Sequence, residues 1–146
     1  MNTAIPTTLI ARLRRMAHHG ATARPLSVLI VDDEDLVLRY AARVLRDAGY
    51  GVVTARDASE AMAAVWTDGP FDVLLTDLMM PRMNGDELAR RLRLSQPDLA
   101  VLYFTGFSDR LFLERDLLWE REAFLDKPCS PRGLLEAVVQ VAGQPL

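Results

Sequence analysis

Four short apolar runs in this 146-residue chain are each followed at once by side chains that could bind a metal ion or a phosphate group. Carboxylates follow two of the runs, a hydroxyl follows another and an amine follows the last: Asp32 and Asp33, Asp77, Thr105, and Lys127. Carboxylate oxygens are the hard ligands that Mg²⁺ prefers. An aspartate carboxylate can also accept a phosphoryl group covalently, and a nearby lysine and hydroxyl would complete a cradle for its oxygens. These residue types therefore indicate Mg²⁺-assisted phosphoryl chemistry.

Three carboxylates at one site repel one another, by about 4 kcal/mol for a pair about 4 Å apart at an effective dielectric near 20. A divalent cation relieves that repulsion, and so few carboxylates without an oxygen-rich loop favour Mg²⁺ over Ca²⁺. Taken singly, the residues have plainer interpretations: Asp33 as a helix N-cap, Lys127 as a surface lysine and Thr105 as part of a turn. Their joint occurrence at the ends of apolar runs favours a single site.

Five apolar runs predict the strands that must carry these residues. They lie at 28–31, 51–55, 73–75, 100–104 and 123–125. The first, third and fourth are almost continuously apolar, which is typical of strands covered on both faces in a parallel sheet. Helical patterns separate the runs, so the sequence predicts an α/β fold with a doubly wound, five-stranded parallel sheet. The carboxyl ends of such strands form a ligand-binding edge, which is where the acids, the threonine and the lysine fall.

The ends of the predicted helices are also marked. Gly49 stands where a glycine often ends a helix, after the apolar spacing of residues 37–48. Three N-terminal caps are expected: Asp57 with Glu60, Asn84 with Glu87, and Ser130 with Pro131. Length and propensity favour one more helix at 108–119, although its apolar stripe is blurred. We expect Trp66 and Trp119 to be packing residues.

Four segments at the strand ends resemble the motifs of response-regulator receiver domains. They are Val31-Asp32-Asp33, Leu75-Thr76-Asp77-Leu78-Met79-Met80-Pro81-Arg82-Met83-Asn84-Gly85, Phe104-Thr105-Gly106 and Asp126-Lys127-Pro128. The resemblance covers residues 26–143, and the motifs occur in order with family-like spacing. It implies the flavodoxin-like strand order 2-1-3-4-5, with helices on both faces of the sheet.

The resemblance also implies a role for each residue of the site. Asp77 would be the phosphoacceptor, and Thr105 and Lys127 would bind the phosphoryl oxygens. The cofactor would be Mg²⁺, with four ligands: Asp32, Asp33, Asp77 and the backbone carbonyl of Met79. The Lys127–Pro128 peptide is expected to be cis, because that isomer would turn the lysine amine toward Asp77.

A switch is implied as well. Thr105 would move toward the phosphoryl group, and Phe124 would turn inward into the space that Thr105 leaves. The response would be displayed on the face made by the helix at 108–119, the fifth strand and the last helix. Two departures from the family pattern bear on this region: Cys129 where an aromatic is usual, and the charged run 120–123 where a small, glycine-containing turn is usual.

Charge divides the chain into two parts. The net charge is −3, but residues 1–25 carry four arginines and no acid, which leaves −7 on the remainder. We expect 1–25 to be an N-terminal extension, partly helical or disordered, and 26–146 to be the receiver domain. The acidic balance does not suggest nucleic-acid binding, and no apolar run is long enough to span a membrane. The extension lacks the apolar core of a secretory signal, and the one cysteine fits a reducing compartment, so a cytoplasmic location is expected.

Three functions remain open from the sequence. The first is a phosphoacceptor receiver in a two-component phosphorelay, whose only chemistry is its own phosphorylation and dephosphorylation and which is therefore not an enzyme in the ordinary sense. The second is a hydrolase with an aspartate nucleophile, since Asp33-Glu34-Asp35 has the letters of such a motif, although it runs into a helix. The third is a degenerate receiver that binds proteins independently of phosphorylation.

The resemblance implies protein partners for the first function. A histidine kinase or a histidine phosphotransfer protein would donate the phosphoryl group, and an unknown downstream protein would receive the signal. Phosphorylation-dependent homodimerisation is a further way in which the resemblance implies that the signal is passed on. No nucleic acid and no membrane is expected as a partner. The chain has no room for an output domain after Lys127, so a stand-alone receiver is expected.

Overall fold

The parallel sheet forms from the apolar runs that the sequence marks. The computed structural model of the protein describes residues 25–106 and 121–143, so the extension and the expected helix at 108–119 lie outside the described residues. The described strands are β1 (Ser27–Val31), β2 (Gly51–Ala55), β3 (Val73–Thr76), β4 (Ala100–Thr105) and β5 (Glu122–Asp126). All pairings are parallel and the strand order is β2-β1-β3-β4-β5. The predicted flavodoxin-like order is thereby confirmed.

Helices cover both faces of this sheet. The described helices are α1 (Asp35–Asp47), α2 (Ala58–Asp68), α3 (Gly85–Leu92) and α4 (Pro131–Ala142). Because side chains alternate along a strand, Val28 and Ile30 of β1 pack with α1 and α4, whereas Leu29 and Val31 pack with α2 and α3. Within the described ranges, no helix is both long enough and apolar enough to cross a bilayer.

Most of the expected helix ends are confirmed. Gly49 follows the C-cap of α1 with φ +97°, a conformation that favours glycine. At the start of α2 the Asp57 carboxylate accepts a hydrogen bond from the backbone N–H of Glu60 at 2.8 Å. At the start of α4 the Ser130 hydroxyl accepts one from the N–H of Gly133 at 3.0 Å. These side chains stabilise the first turns by satisfying N–H groups that lack a partner within the helix.

Two local expectations are wrong. Asn84 does occupy the N-cap of α3, but its side chain makes no capping hydrogen bond, and the Glu87 carboxylate instead accepts from Arg91 one turn further on, at 2.8 Å. Trp66 does not pack in the core, since 90% of it is exposed. The small residues of α2 face the sheet, and the tryptophan lies on the opposite side of the helix.

Candidate functional site

The polar side chains predicted from the strand ends meet at one edge of the sheet. Asp32, Asp33 and Asp77 each place a carboxylate oxygen within 4.8 Å of the other two. Two of these residues continue the hydrogen bonding of the sheet: the N–H of Asp32 donates to Ala55 at 3.2 Å, and the N–H of Asp77 donates to Val31 at 2.9 Å. The strands therefore fix the backbone from which the carboxylates extend.

The three carboxylates differ in their exposure to solvent. Asp32 and Asp77 are buried, with 1% and 6% of their surface exposed, whereas Asp33 is exposed. The plainer interpretation of Asp33 as a helix N-cap is wrong, because Glu34 occupies the N-cap of α1 and makes no side-chain cap bond. The N–H of Glu34 is instead bound by the Asp32 carboxylate at 2.9 Å.

Lys127 places its ammonium group among these acids. Its Nζ lies 2.9 Å from Asp32 Oδ2, 3.6 Å from Asp77 Oδ2 and 3.8 Å from a carboxylate oxygen of Glu34. It also lies 5.3 Å above the ring of Phe104, which is within the range of a cation–π contact. The Lys127–Pro128 peptide is cis, as predicted. The lysine does reach Asp77, but its shortest contact is with Asp32.

Electrostatics at the site favour a bound cation. Burial, together with the charge of Asp32, raises the pKa of Asp77 from 3.8 to about 6, and the attraction of Lys127 offsets this only in part. Burial also raises the pKa of Asp32, against the hydrogen bonds from Glu34 and Lys127. Burial alone would lower the pKa of Lys127, but the hydrogen bond and charge of Asp32 outweigh it and raise that pKa. Two buried acids thus share one ammonium group, and a further positive charge would stabilise them.

The donor set fits Mg²⁺. The carboxylates are hard oxygen ligands from both buried and solvent-facing positions, so water and phosphate could supply the remaining ligands. The described residues bring no histidine or cysteine into the cluster, which argues against a soft metal.

The loop after Asp77 is held against the site by a close backbone approach. The N–H of Gly85 donates to the carbonyl of Leu78 at 2.8 Å. A Cβ on Gly85 would overlap the carbonyl oxygen of Asp77, so a glycine is required there. In isolation, Asn84-Gly85 is typical of a hairpin turn, and no pattern in the sequence indicates this contact. Met79 lies in the same loop, partly exposed, and its N–H donates to the Asp77 carboxylate.

Thr105 and Phe124 lie on one face of the sheet. Thr105 is fully buried at the end of β4, and its carbonyl accepts a hydrogen bond from the N–H of Lys127 at 3.0 Å. Its hydroxyl donates to the carbonyl of Gly106 at 3.3 Å. Phe124 pairs with Tyr103 in the register of β4 and β5, and their ring centroids are 5.6 Å apart at a tilt of 43°. Thr105 itself pairs with Asp126, so the two residues predicted to form a switch are diagonal neighbours on this face.

The family of the chain follows from these observations and from its likeness to known proteins. The family model described as the response regulator receiver domain matches residues 28–139. The chain therefore belongs to the response regulator receiver domain family, whose members are signalling domains of two-component systems rather than ordinary enzymes.

Individual relatives agree with that assignment. The response regulator receiver protein CpdR of Brucella abortus (strain 2308) is 35% identical over 112 residues, which are 76% of this chain and 92% of CpdR. The sensor kinase CckA of the same strain is 32% identical over 116 residues, which are 79% of this chain but only 12% of the kinase. A structure of the Vibrio cholerae chemotaxis protein CheY4 matches with a TM-score of 0.67 and 29% identity, over 80% of this chain and 98% of that one. The chain thus corresponds to nearly all of CpdR and to a small part of CckA.

Proposed function

We propose that Asp77 accepts a phosphoryl group from a phosphohistidine of a histidine kinase or of a phosphotransfer protein. A carboxylate oxygen of Asp77 attacks the phosphorus, a P–O bond forms as the P–N bond breaks, and the departing imidazole keeps the electron pair and takes up a proton. The observation that carries this proposal is the cluster of three carboxylates within 4.8 Å, with the ammonium of Lys127 at 3.6 Å from Asp77. Catalysis in phosphoryl transfer consists mainly of such positioning and charge neutralisation.

In this proposal the three carboxylates would also hold a metal ion. The ligands would be Asp32, Asp33 and Asp77, together with the backbone carbonyl of Met79. When bound, Mg²⁺ supplies positive charge that offsets both the carboxylates and the phosphoryl oxygens. A bound cation fits the raised pKa of Asp77, because that carboxyl is buried beside the charge of Asp32 and Lys127 offsets the repulsion only in part.

Lys127 and Thr105 bind the phosphoryl oxygens. Lys127 is tethered by its N–H to the carbonyl of Thr105, so both donors are set by the ends of neighbouring strands. The lysine exchanges part of its contact with Asp32 for contact with the new phosphate oxygens, which carry more negative charge than the carboxylate.

Output passes from Thr105 to Phe124. A turn of the Phe124 ring alters the surface at β5 and α4, and a downstream protein or a second copy of the chain binds to that surface. This assignment treats 26–146 as the receiver domain and 1–25 as an extension, and it is supported by the family match over residues 28–139.

A hydrophobic pocket beside Lys127 supports a protein as the phosphodonor. It has a volume of about 300 Å³ and is lined by Leu36, Val37, Tyr40, Phe104, Lys127, Pro128 and Cys129. Leu36, one of the lining residues, is 77% exposed, so its side chain is accessible to a partner protein. A helix carrying the phosphohistidine could bury this leucine while it presents the phosphoryl group to Asp77.

Incubation with acetyl phosphate and Mg²⁺, followed by intact-mass measurement, tests the proposal. We expect the mass to increase by one phosphoryl group in the wild type and in Asp126→Asn, which alters an exposed carboxylate at the end of β5, but not in Asp77→Asn. Absence of any adduct in the presence of Mg²⁺ would favour a phosphorylation-independent interaction module. Rapid hydrolysis of small phosphoesters would favour an aspartate-dependent hydrolase.

A further inference from the structure

Helix α3 touches the proposed phosphorylation site at its first residue. Gly85 lies directly on the backbone of Asp77, and its N–H is bound by the carbonyl of Leu78 at 2.8 Å. Leu88 and Leu92 of the helix are buried in the same cluster as Leu78. A displacement of the loop after Asp77 must therefore displace α3 as well, because the side chains that join the two are closely packed and leave no space for independent movement.

The other end of α3 is tied to β5. Arg93, the C-cap of α3, donates from Nη1 to Glu122 Oε2 at 2.9 Å. Its Nε and Nη2 also donate to the carbonyl of Leu99, at 3.0 and 2.8 Å, which fixes the plane of the guanidinium group. The Glu122 side chain is fully buried and 14% of the Arg93 side chain is exposed. Separation of the Arg93–Glu122 pair would leave a buried charge without its partner.

Tyr103 joins the Arg93–Glu122 pair to Phe124. The Tyr103 hydroxyl donates to the same Oε2 of Glu122, at 3.2 Å, and the Tyr103 ring packs against the ring of Phe124. In the register of the sheet, Val101 pairs with Glu122 and Tyr103 pairs with Phe124, so these side chains share one face. A shift of the carboxylate would move the phenol, and with it the surface against which Phe124 packs.

We infer that Arg93 and Glu122 are positioning residues that couple the loop after Asp77 to Phe124 through helix α3. This inference rests on the proposed function and adds a second connection to the one through Thr105. The helix has eight residues and spans about 12 Å, so it transmits a displacement from one end to the other as a short rigid rod. Its first residue lies at the phosphoacceptor and its C-cap holds β5.

A double-mutant cycle measures this coupling. The probe is beryllofluoride, a mimic of a bound phosphoryl group, titrated into the full chain at saturating Mg²⁺ and followed by calorimetry. The affinities are compared for the wild type, Phe124→Ala, Arg93→Met with Glu122→Gln, and all three substitutions together. Removing both charges leaves no buried ion unpaired, so the fold should survive. We expect the effect of Phe124→Ala on affinity to shrink by about fivefold or more once the Arg93–Glu122 pair is gone.

A matched pair on the same helix provides the control. Arg91 and Glu87 form an exposed ion pair at 2.8 Å that does not reach β5, so Arg91→Met with Glu87→Gln should leave the effect of Phe124→Ala unchanged. Independent effects of Phe124→Ala and of the Arg93–Glu122 substitutions, with only the melting temperature lowered, would overturn the inference. If the paired variant does not fold, Arg93→Lys is assessed in the same way, because it keeps the charge and loses the planar fork of donors. A wild type that binds no beryllofluoride, or binds it as well after Asp77→Asn, refutes the proposed function and this inference with it.

Discussion

Replacing Asp77 by asparagine should stabilise the Mg²⁺-free protein. The carboxyl is buried beside Asp32, and its pKa rises from 3.8 to about 6 on folding. An anion whose pKa rises by that amount destabilises the native state by about 3 kcal/mol relative to the neutral acid. Asparagine keeps the shape of the acid without its charge, so we expect Asp77→Asn to unfold with a free energy up to about 3 kcal/mol higher at pH 8.

The gain should depend on pH in a defined direction. Because the native state holds the Asp77 proton more tightly than the unfolded state, wild-type stability falls as pH rises from 3.8 to 6. The difference between the wild type and Asp77→Asn should therefore be full above pH 6 and nearly absent at pH 4. Adding Mg²⁺ should reverse its sign at pH 8, since the ion stabilises the wild type and the asparagine variant has lost a ligand.

Urea denaturation in the presence of a chelator, at pH 8 and near pH 4, measures these differences. Asp33→Asn is the matched control, because it removes a charge from the same cluster at an exposed position and should give a much smaller gain. A variant Asp77→Asn that is no more stable than the wild type at pH 8 without Mg²⁺ would refute the electrostatic reasoning.

Three further substitutions probe Lys127, Gly85 and Tyr50. Lys127→Gln should tighten Mg²⁺ binding by about tenfold or more, because it removes a cation 2.9 Å from Asp32 that competes with the metal for the carboxylates. The same substitution should slow phosphorylation. Weaker Mg²⁺ binding in calorimetry would contradict the idea that Lys127 and Mg²⁺ compete. Gly85→Ala should lower the free energy of unfolding by about 1–3 kcal/mol, since its Cβ would overlap a backbone oxygen. Gly133→Ala, at a position with more space for a Cβ, is its control in urea denaturation. An equal loss of unfolding free energy in both variants would contradict the close contact between Gly85 and the Asp77 carbonyl. Tyr50→Phe should leave stability unchanged or raise it by up to about 1 kcal/mol, because its buried hydroxyl has no hydrogen-bond partner in the described ranges; a melting temperature several degrees lower would contradict this.

The location of the site could be predicted from sequence because topology leaves little freedom. Parallel strands end at one edge, so Asp32, Asp77 and Lys127 must meet once each follows a strand. The continuous apolar character of 28–31 and 73–75 likewise marked the central strands, and the structure confirms both positions.

The internal geometry of the site could not be predicted in the same way. Asp32 and Asp33 are neighbours of the same type just beyond the end of β1, yet the first is buried and the second is exposed. The contact of Lys127 with Asp32 rather than Asp77 depends on side-chain positions that no local pattern records.

Contacts between residues far apart in the sequence could not be predicted either, because local patterns do not record them. Glu122 stands in a charged run that is typical of a solvated turn, but it is buried because Arg93, 29 residues earlier, reaches it from the end of α3. Trp66 follows the apolar spacing of α2, yet Ala61 and Ala64 already fill the interface with the sheet, so the tryptophan lies outside. Sequence patterns report how one element is covered, and they do not report which distant residue covers it.

Locating the phosphoryl group on the chain tests directly whether Asp77 is the phosphoacceptor. The full chain is phosphorylated with acetyl phosphate and Mg²⁺, the acyl phosphate is reduced with borohydride, which converts a phosphorylated aspartate to homoserine, and peptides are sequenced by mass spectrometry. We expect homoserine at position 77 and at no other aspartate, with none in Asp77→Asn. Homoserine at Asp32 or Asp33, or its formation in the Asp77→Asn chain at the wild-type rate, would contradict it.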